Sequence, residues 1–404
     1  MSTDTVRLTQ KIAAPEAEAY RAFTRSLVVR EWMSDGASID ARPAGHLFVS
    51  WHSGYCAMGE FTALQPDRRV AFTWLGRGEP GATQVDVDLA PWGDGVEVTL
   101  AHGGFGAGDA WQEARLASER GWIAGMENLK SVLETGEDLR YVRRPLLGVH
   151  LDELDAGIAA RLGVPVSEGV RLSGVIPGLG AEQAGLQRDD VIVAFAGRPA
   201  VDYAGLIAAL TSHRAGDRVE VAFYRGSERH TTEMVLSRRH IPAVPPTPPG
   251  LAEAVRGANA EARAELASVL ADVSDVQAAH RPAPGEWNAL EVLAHLVSHE
   301  RELQTWITDL LCDDERWPDR FENTEVVPAR IAAIARAYPR LAEMVDALHR
   351  SQEETAGMVA TLPPEFVAHR GTYWRLGRTL LEDAQPSSHV REHAAQIRAA
   401  VASA

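Results

Sequence analysis

The stretch HIPAVPPTPPGLAEA, from His240 to Ala254, constrains this chain more than any other. Its clustered prolines lack amide donors, so no regular hydrogen-bonded element runs through it. The patterns on its two sides also differ. Before it, apolar residues recur in short alternating runs broken by Gly, Pro and Asp; from Leu251 onward they recur at helical spacing with no strand signal. A domain ends just before the prolines, and an extended polyproline segment from Pro242 to Pro249 would span on the order of 25 Å. A softer boundary falls near residue 140, where the helical stretch ending at Leu133 runs into ETGEDLRYVRRP. At 404 residues the chain exceeds what one hydrophobic core organises. The expected division is 1–140, 141–240, a Pro-rich linker at 241–250, and 251–404.

Charge narrows the partners. The formal net charge is -16 and the pI is near 5.4. Nucleic-acid binding relies on clustered Lys and Arg that release counterions, so no nucleic-acid partner is expected. With 45% hydrophobic and 24% charged residues, the composition is that of an ordinary globular protein. The opening residues MSTDTVRLTQKIAAPEAEAY hold no apolar run of signal-peptide length, and no later stretch approaches a membrane span, so no membrane partner is expected. Cys56 and Cys312 fall in different expected domains, which fits a reducing compartment. A soluble, cytoplasmic, bacterial-type protein is the expectation.

The first segment opens with the alternating VRLTQKI, followed by APEAEAYRAFT, where Pro15 suits a first helical turn. Runs HLFVSWHSG, YCAMGEFTAL, RVAFTWLG, TQVDVDLAP and GVEVTLAHG then read as an antiparallel meander. Apolar residues at Trp122, Met126, Leu129 and Leu133 predict a long amphipathic helix that closes the unit. This order, with APEAEAYRAFT, GEFTAL and GWIAGMENLKSVLE, resembles the SRPBCC (START-like) superfamily, in the branch related to the activator of the heat-shock ATPase. The resemblance implies a helix-grip α+β fold enclosing a cavity for an apolar small molecule, or a surface for a protein. Trp32, Trp51, Trp74 and Trp122 are candidates to line such a cavity, although large aromatics in small domains are commonly plain core.

In the middle segment, strands about ten residues apart are broken by Gly and Pro, with short helices at AEQAGL and YAGLIAAL. The motif AGLQRDDVIVAFAGRPA makes this segment similar to PDZ domains of the bacterial HtrA class, with Asp189 standing where that family usually has Gly. The implied fold is a β-rich, partly open barrel. Such domains let a peptide add a strand to a sheet edge while backbone N–H groups hold its carboxylate. The resemblance implies that Leu146, Leu147, Gly148 and Val149 form the carboxylate loop and edge strand, and that Leu206 faces the groove. The partners would be protein C-terminal peptides. Leu147 and Val149 as simple core residues is the alternative. No Ser-centred protease motif accompanies the segment, which argues against an HtrA-type protease.

The last segment carries four long amphipathic stretches, which predict an all-α, up-and-down four-helix bundle. His389 and His393, four apart, project from one helix face and can reach one ion at about 2 Å. Alone, such a pair occurs by chance on many helices. The segment GEWNALEVLAHL with Trp287, Glu291 and His295, followed by HVREHAAQI, resembles the DinB/YfiT-like superfamily of four-helix metalloproteins. That resemblance implies that His295, His389 and His393 hold a divalent metal ion, Zn or Ni by the preference of imidazole. Three ligands leave a position for water or a low-molecular-weight thiol, and some relatives are thiol-dependent transferases or isomerases. Glu291 or Glu392 could orient a ligand imidazole, and His299 lies one turn beyond His295.

His46, His52 and Cys56 cluster in the first segment, but strand alternation separates neighbours and no carboxylate accompanies them. The functional expectation is metal-dependent, thiol-linked transfer or detoxification beside ligand-binding and peptide-binding modules; the alternative is a non-enzymatic, stress-associated adaptor or ligand-binding protein.

Overall fold

The structure, a computed structural model, describes residues 5–210, 212–283, 285–313, 326–383 and 389–402, without the side chains of residues 153, 326, 383, 389–392 and 395. It divides into two compact units. Residues 1–50, 56–137 and 242–404 form the first; residues 51–55 and 138–241 form the second.

The first unit opens with β1 (Val6–Ile12), α1 (Glu16–Thr24) and α2 (Ser26–Trp32), with Pro15 at the N-cap of α1. Then follow β2 (Gly36–Ile39), β3 (His46–Ser50), β4 (Cys56–Gln65), β5 (Arg69–Gly76), β6 (Thr83–Trp92), β7 (Gly95–Gly103) and the long helix α3 (Asp109–Thr135). The strands form one antiparallel sheet in the order β1-β7-β6-β5-β4-β3-β2. The anticipated meander is therefore present, extended by β2, which the sequence patterns had not marked. β1 returns to pair with β7, Leu8 opposite Leu100, so the chain's first strand borders its last. One sheet face is packed: Val85, Val87, Val96, Val98 and Leu100 are fully buried, and the apolar stripe of α3 buries Trp122, Met126, Leu129 and Leu133. Each such side chain contributes roughly 1.5–3 kcal/mol of transfer free energy. Gly136 ends α3 in the left-handed region at φ 86°, its N–H on the Val132 carbonyl.

The second unit contains α4 (Leu139–Val142), β8 (Val149–Glu153), α5 (Ala156–Leu162), β9 (Val170–Val175), α6 (Gly180–Gln183), β10 (Val191–Phe195), β11 (Arg198–Pro199), α7 (Tyr203–Leu210), β12 (Arg218–Arg225) and β13 (Glu228–Val235). Its strands run β13-β12-β10-β9-β8, with β11 on β10, and the sheet does not close on itself. Asp189 sits at φ 70°, which explains why glycine is usual there. Its carboxylate accepts from Arg171 Nη2 at 2.6 Å, while the buried Asp190 takes two bonds of 2.8 Å from Arg225. The turn is thus retained, with an ion pair in place of glycine's freedom.

The remainder of the first unit is helical: α8 (Pro248–Leu270), α9 (Asp275–Ala279), α10 (Ala289–Leu311), α11 (Val326–Ala337), α12 (Leu341–Ala360), α13 (Pro364–Ala368), α14 (Arg370–Asp383) and α15 (His389–Ala402). Two differences from the sequence expectation have physical causes. α8 begins inside the proline cluster, because Pro248 and Pro249 occupy first-turn positions whose amides need no partner, and Thr247 caps Gly250. The third anticipated helix is broken into α11 and α12 at Tyr338, Pro339 and Arg340, where proline removes a donor. α14 was not anticipated. It packs on α8 and also on α2 and α3, and the Arg370 carbonyl comes so near Gly136 that a Cβ there would stand 2.6 Å from it. Arg375 approaches the buried Glu31 of α2 at 3.7 Å, and His369 meets Glu18 of α1 at 3.0 Å. Among the described residues no helix is long and apolar enough to cross a membrane.

Candidate metal centre

α10 owes its start to a capping box: Asn288 Oδ1 accepts the Glu291 N–H at 2.9 Å, and Glu291 Oε2 accepts the Asn288 N–H at 3.0 Å. The other Glu291 oxygen holds Arg281. The Glu291 carboxylate is thereby committed to starting the helix, and the expectation that it orients an imidazole is corrected. The side chain of Glu392 lies outside the described residues.

One turn after this cap, His295 leaves α10 toward α15. Its ring centre lies 4.9 Å from that of His393, at an interplanar angle of 68°, and 5.3 Å from the Trp287 ring. Two imidazoles that share one ion at about 2 Å per bond place their ring centres about 5 Å apart, so the pair fits a shared cation. Burial, followed by the proximity of His393 and His299, lowers the His295 pKa to about 4. The ring is therefore neutral at pH 7 and offers a lone pair, the form a metal ligand needs. His299 is half-buried one turn away. The third expected ligand, His389, begins α15, but its side chain lies outside the described residues. Among the described residues no group of three His, Cys, Asp or Glu side chains is gathered at metal-binding distance.

A residue that the sequence reading passed over completes the arrangement. Gln396 Oε1 lies 2.9 Å from His393 Nδ1. Its spacing of three from His393 places it on the same helix face, a signal present in the sequence but unused. Gln396 and Trp287 also line an open cleft of about 580 Å³, with Pro282, Glu286 and Ala400.

In the second unit, Leu146 exchanges backbone bonds with Ser237, and the Leu147 and Gly148 carbonyls accept from Ala181 and Ile176. The N–H groups of Leu147 and Gly148 have no acceptor among the described residues. Gly148 sits at φ 80°, and a Cβ there would stand 2.4 Å from that of Leu179. Val149 starts β8, the edge strand of its sheet. The expectation for Leu206 is corrected: α7 spans only Tyr203–Leu210, and Leu206 is fully buried in the core with Leu147 and Phe195 instead of facing an open groove.

The four tryptophans do not share one cavity. Trp74 and Trp122 lie 5.7 Å apart and surround the buried His102. Trp32 packs edge-on against Phe23 and donates to the Ala22 carbonyl. Trp51 follows β3 and tilts on Tyr55. His102 accepts from Trp122 Nε1 at 3.0 Å through Nδ1 and meets Thr83 Oγ1 at 2.7 Å through Nε2. Burial lowers its pKa to about 4. His46 and Cys56 fall at opposite ends of the β3–β4 ladder, which separates that cluster.

Residues 13–134 match the family model for activator of Hsp90 ATPase homolog 1-like proteins, residues 145–236 that for the PDZ domain, and residues 258–397 that for the DinB superfamily. The chain is thus a three-module fusion of these types in this order, mixing a helix-grip α+β region, a β-rich region and a helical region. Among curated proteins, a probable periplasmic serine protease do/HhoA-like from Haemophilus influenzae is 32% identical over 108 residues, 27% of this chain and 22% of that protein. The periplasmic pH-dependent serine endoprotease DegQ of Escherichia coli is 29% identical over 99 residues, 24% of this chain and 22% of its own length. The chain therefore spans under a quarter of these relatives. Among solved structures, an HSP90 activator from Plasmodium falciparum is 21% identical, covering 32% of this chain and 96% of that one at a TM-score of 0.29. The Aha1 dimer from Colwellia psychrerythraea is 17% identical, with coverages of 32% and 96% and a TM-score of 0.29.

Proposed function

We propose that the chain is a cytoplasmic multi-module protein whose helical region binds one divalent ion through His295, His389 and His393. The observation that carries this reading is the 4.9 Å approach of His295 and His393, which come from α10 and α15. A bound Zn or Ni ion would lower the pKa of a low-molecular-weight thiol and supply thiolate at neutral pH. The chain's own contributions are the imidazoles of His295 and His393 and the ring of Trp287, which also lines an open cleft. Thiol-linked transfer or detoxification is the activity this supports best. The middle region would capture C-terminal peptides, supported by the open N–H groups of Leu147 and Gly148 beside the edge strand β8.

A second reading, a stress-associated adaptor with no chemistry of its own, draws on the N-terminal region. There Trp74, Trp122 and His102 fill the space between sheet and helix, which favours a binding surface over a ligand cavity. Elemental analysis separates the two readings. About one divalent ion per chain is expected in the purified protein, with loss in His389→Ala and in His393→Ala. Unchanged metal content in both variants would sink the metal reading.

A further inference from the structure

We infer that Gln396 is a positioning residue of the metal centre, which fixes the ring of His393 with its Nε2 lone pair turned toward the ion. This rests on the metal reading above. A neutral imidazole carries one proton, on either nitrogen, and only the bare nitrogen can bind a cation. At His393 the partner of Nδ1 is Gln396 Oε1, at 2.9 Å. An amide oxygen only accepts, so this contact puts the proton on Nδ1 and leaves Nε2 bare. His295 stands beside that ring, its centre 4.9 Å away.

Of the two carboxylates expected to orient a ligand imidazole, Glu291 is engaged with Asn288 and Arg281, and the side chain of Glu392 lies outside the described residues. Gln396 takes the part without adding a negative charge to the site. It holds His393 at one turn's reach along α15, where i and i+3 side chains adjoin, so the bond needs no tertiary adjustment. Gln396 also lines the cleft with Trp287.

Two variants and two readouts test this. Gln396→Met keeps the length of the side chain and removes the acceptor; Gln396→Glu keeps an acceptor. In the metal-free protein, long-range proton–nitrogen NMR of the His393 ring, assigned by loss of its signals in His393→Ala, should show the Nδ1–H form in the wild type and in Gln396→Glu. Gln396→Met should show a mixture of both forms. With Zn alone as probe and a chromophoric chelator as competitor, Gln396→Met should bind about 10-fold to 100-fold more weakly, while Gln396→Glu stays near wild type. Wild-type tautomer and wild-type Zn affinity in Gln396→Met would overturn the inference. If the wild type itself takes up no Zn, the metal reading falls, and the tautomer in the metal-free protein still decides the role of Gln396.

Discussion

His102 and His295 are both held near pKa 4 by burial, yet their surroundings are opposite in kind. His102 lies in a closed relay. Trp122 Nε1 donates to its Nδ1, its Nε2 proton goes to Thr83 Oγ1, and Thr83 Oγ1 donates onward to the Trp74 carbonyl at 3.0 Å. Every donor there has an acceptor, so the ring has nothing left to offer a ligand. His295 instead faces another histidine and a tryptophan, and that tryptophan lines a cleft. A lowered histidine pKa therefore marks burial in both places, and only the identity of the neighbours separates a structural ring from a candidate ligand.

The largest test of that contrast is truncation. Trp122→Ala removes a side chain packed against Trp74 and His102 and should destabilise the N-terminal region by about 3–5 kcal/mol, read by denaturant unfolding. Trp287→Ala, at a half-buried cleft wall, should cost clearly less. Equal losses would remove the distinction between closed and open surroundings.

Acid gives the next effect. The His102 pKa falls from 6.5 in the unfolded chain to about 4 in the fold, so the unfolded state takes up its proton first as pH drops. This contribution is fully present above pH 6.5 and is lost progressively toward pH 4, by about 3 kcal/mol in all. Hydrogen exchange of the β7 amides should quicken across that window beyond the intrinsic pH dependence, and His102→Gln should flatten the response. An unchanged profile in His102→Gln would assign the acid sensitivity to other groups.

The smallest effect concerns Glu291. Because its carboxylate caps α10 and pairs with Arg281, Glu291→Gln should shift stability by less than about 1 kcal/mol and leave metal content unchanged. A loss of metal in that variant would restore Glu291 to the centre and blur the contrast with the self-contained His102.

Much of the fold was legible because it is local. Alternation in VRLTQKI and the stripe Trp122, Met126, Leu129 and Leu133 state which faces are apolar, and the structure buries them. What such patterns do not state is the partner. Leu206 reads equally well as a groove residue or a core residue, and only the short α7 against its sheet decides for the core. α14 passed unnoticed because its face, with Trp374, Arg375 and Arg378, mixes charge with aromatics and finds its complement in α2 and α3, far away in sequence. At the candidate centre the histidines were visible as residue types, whereas Gln396 required attention to spacing along α15.

The docking of α14 also imposes an order in time. The sheet, α2 and α3 are complete by residue 137, but the helix that covers Glu31 begins at Arg370. At roughly 5–20 residues per second of synthesis, the gap lasts on the order of ten seconds or longer. During that interval the Glu31 carboxylate still has water where Arg375 will later stand, and the end of α3 beyond Leu133 has no neighbour from α14. Any order that the N-terminal region gains before then rests on its own core, and the closed relay around His102 draws only on residues within 74–122.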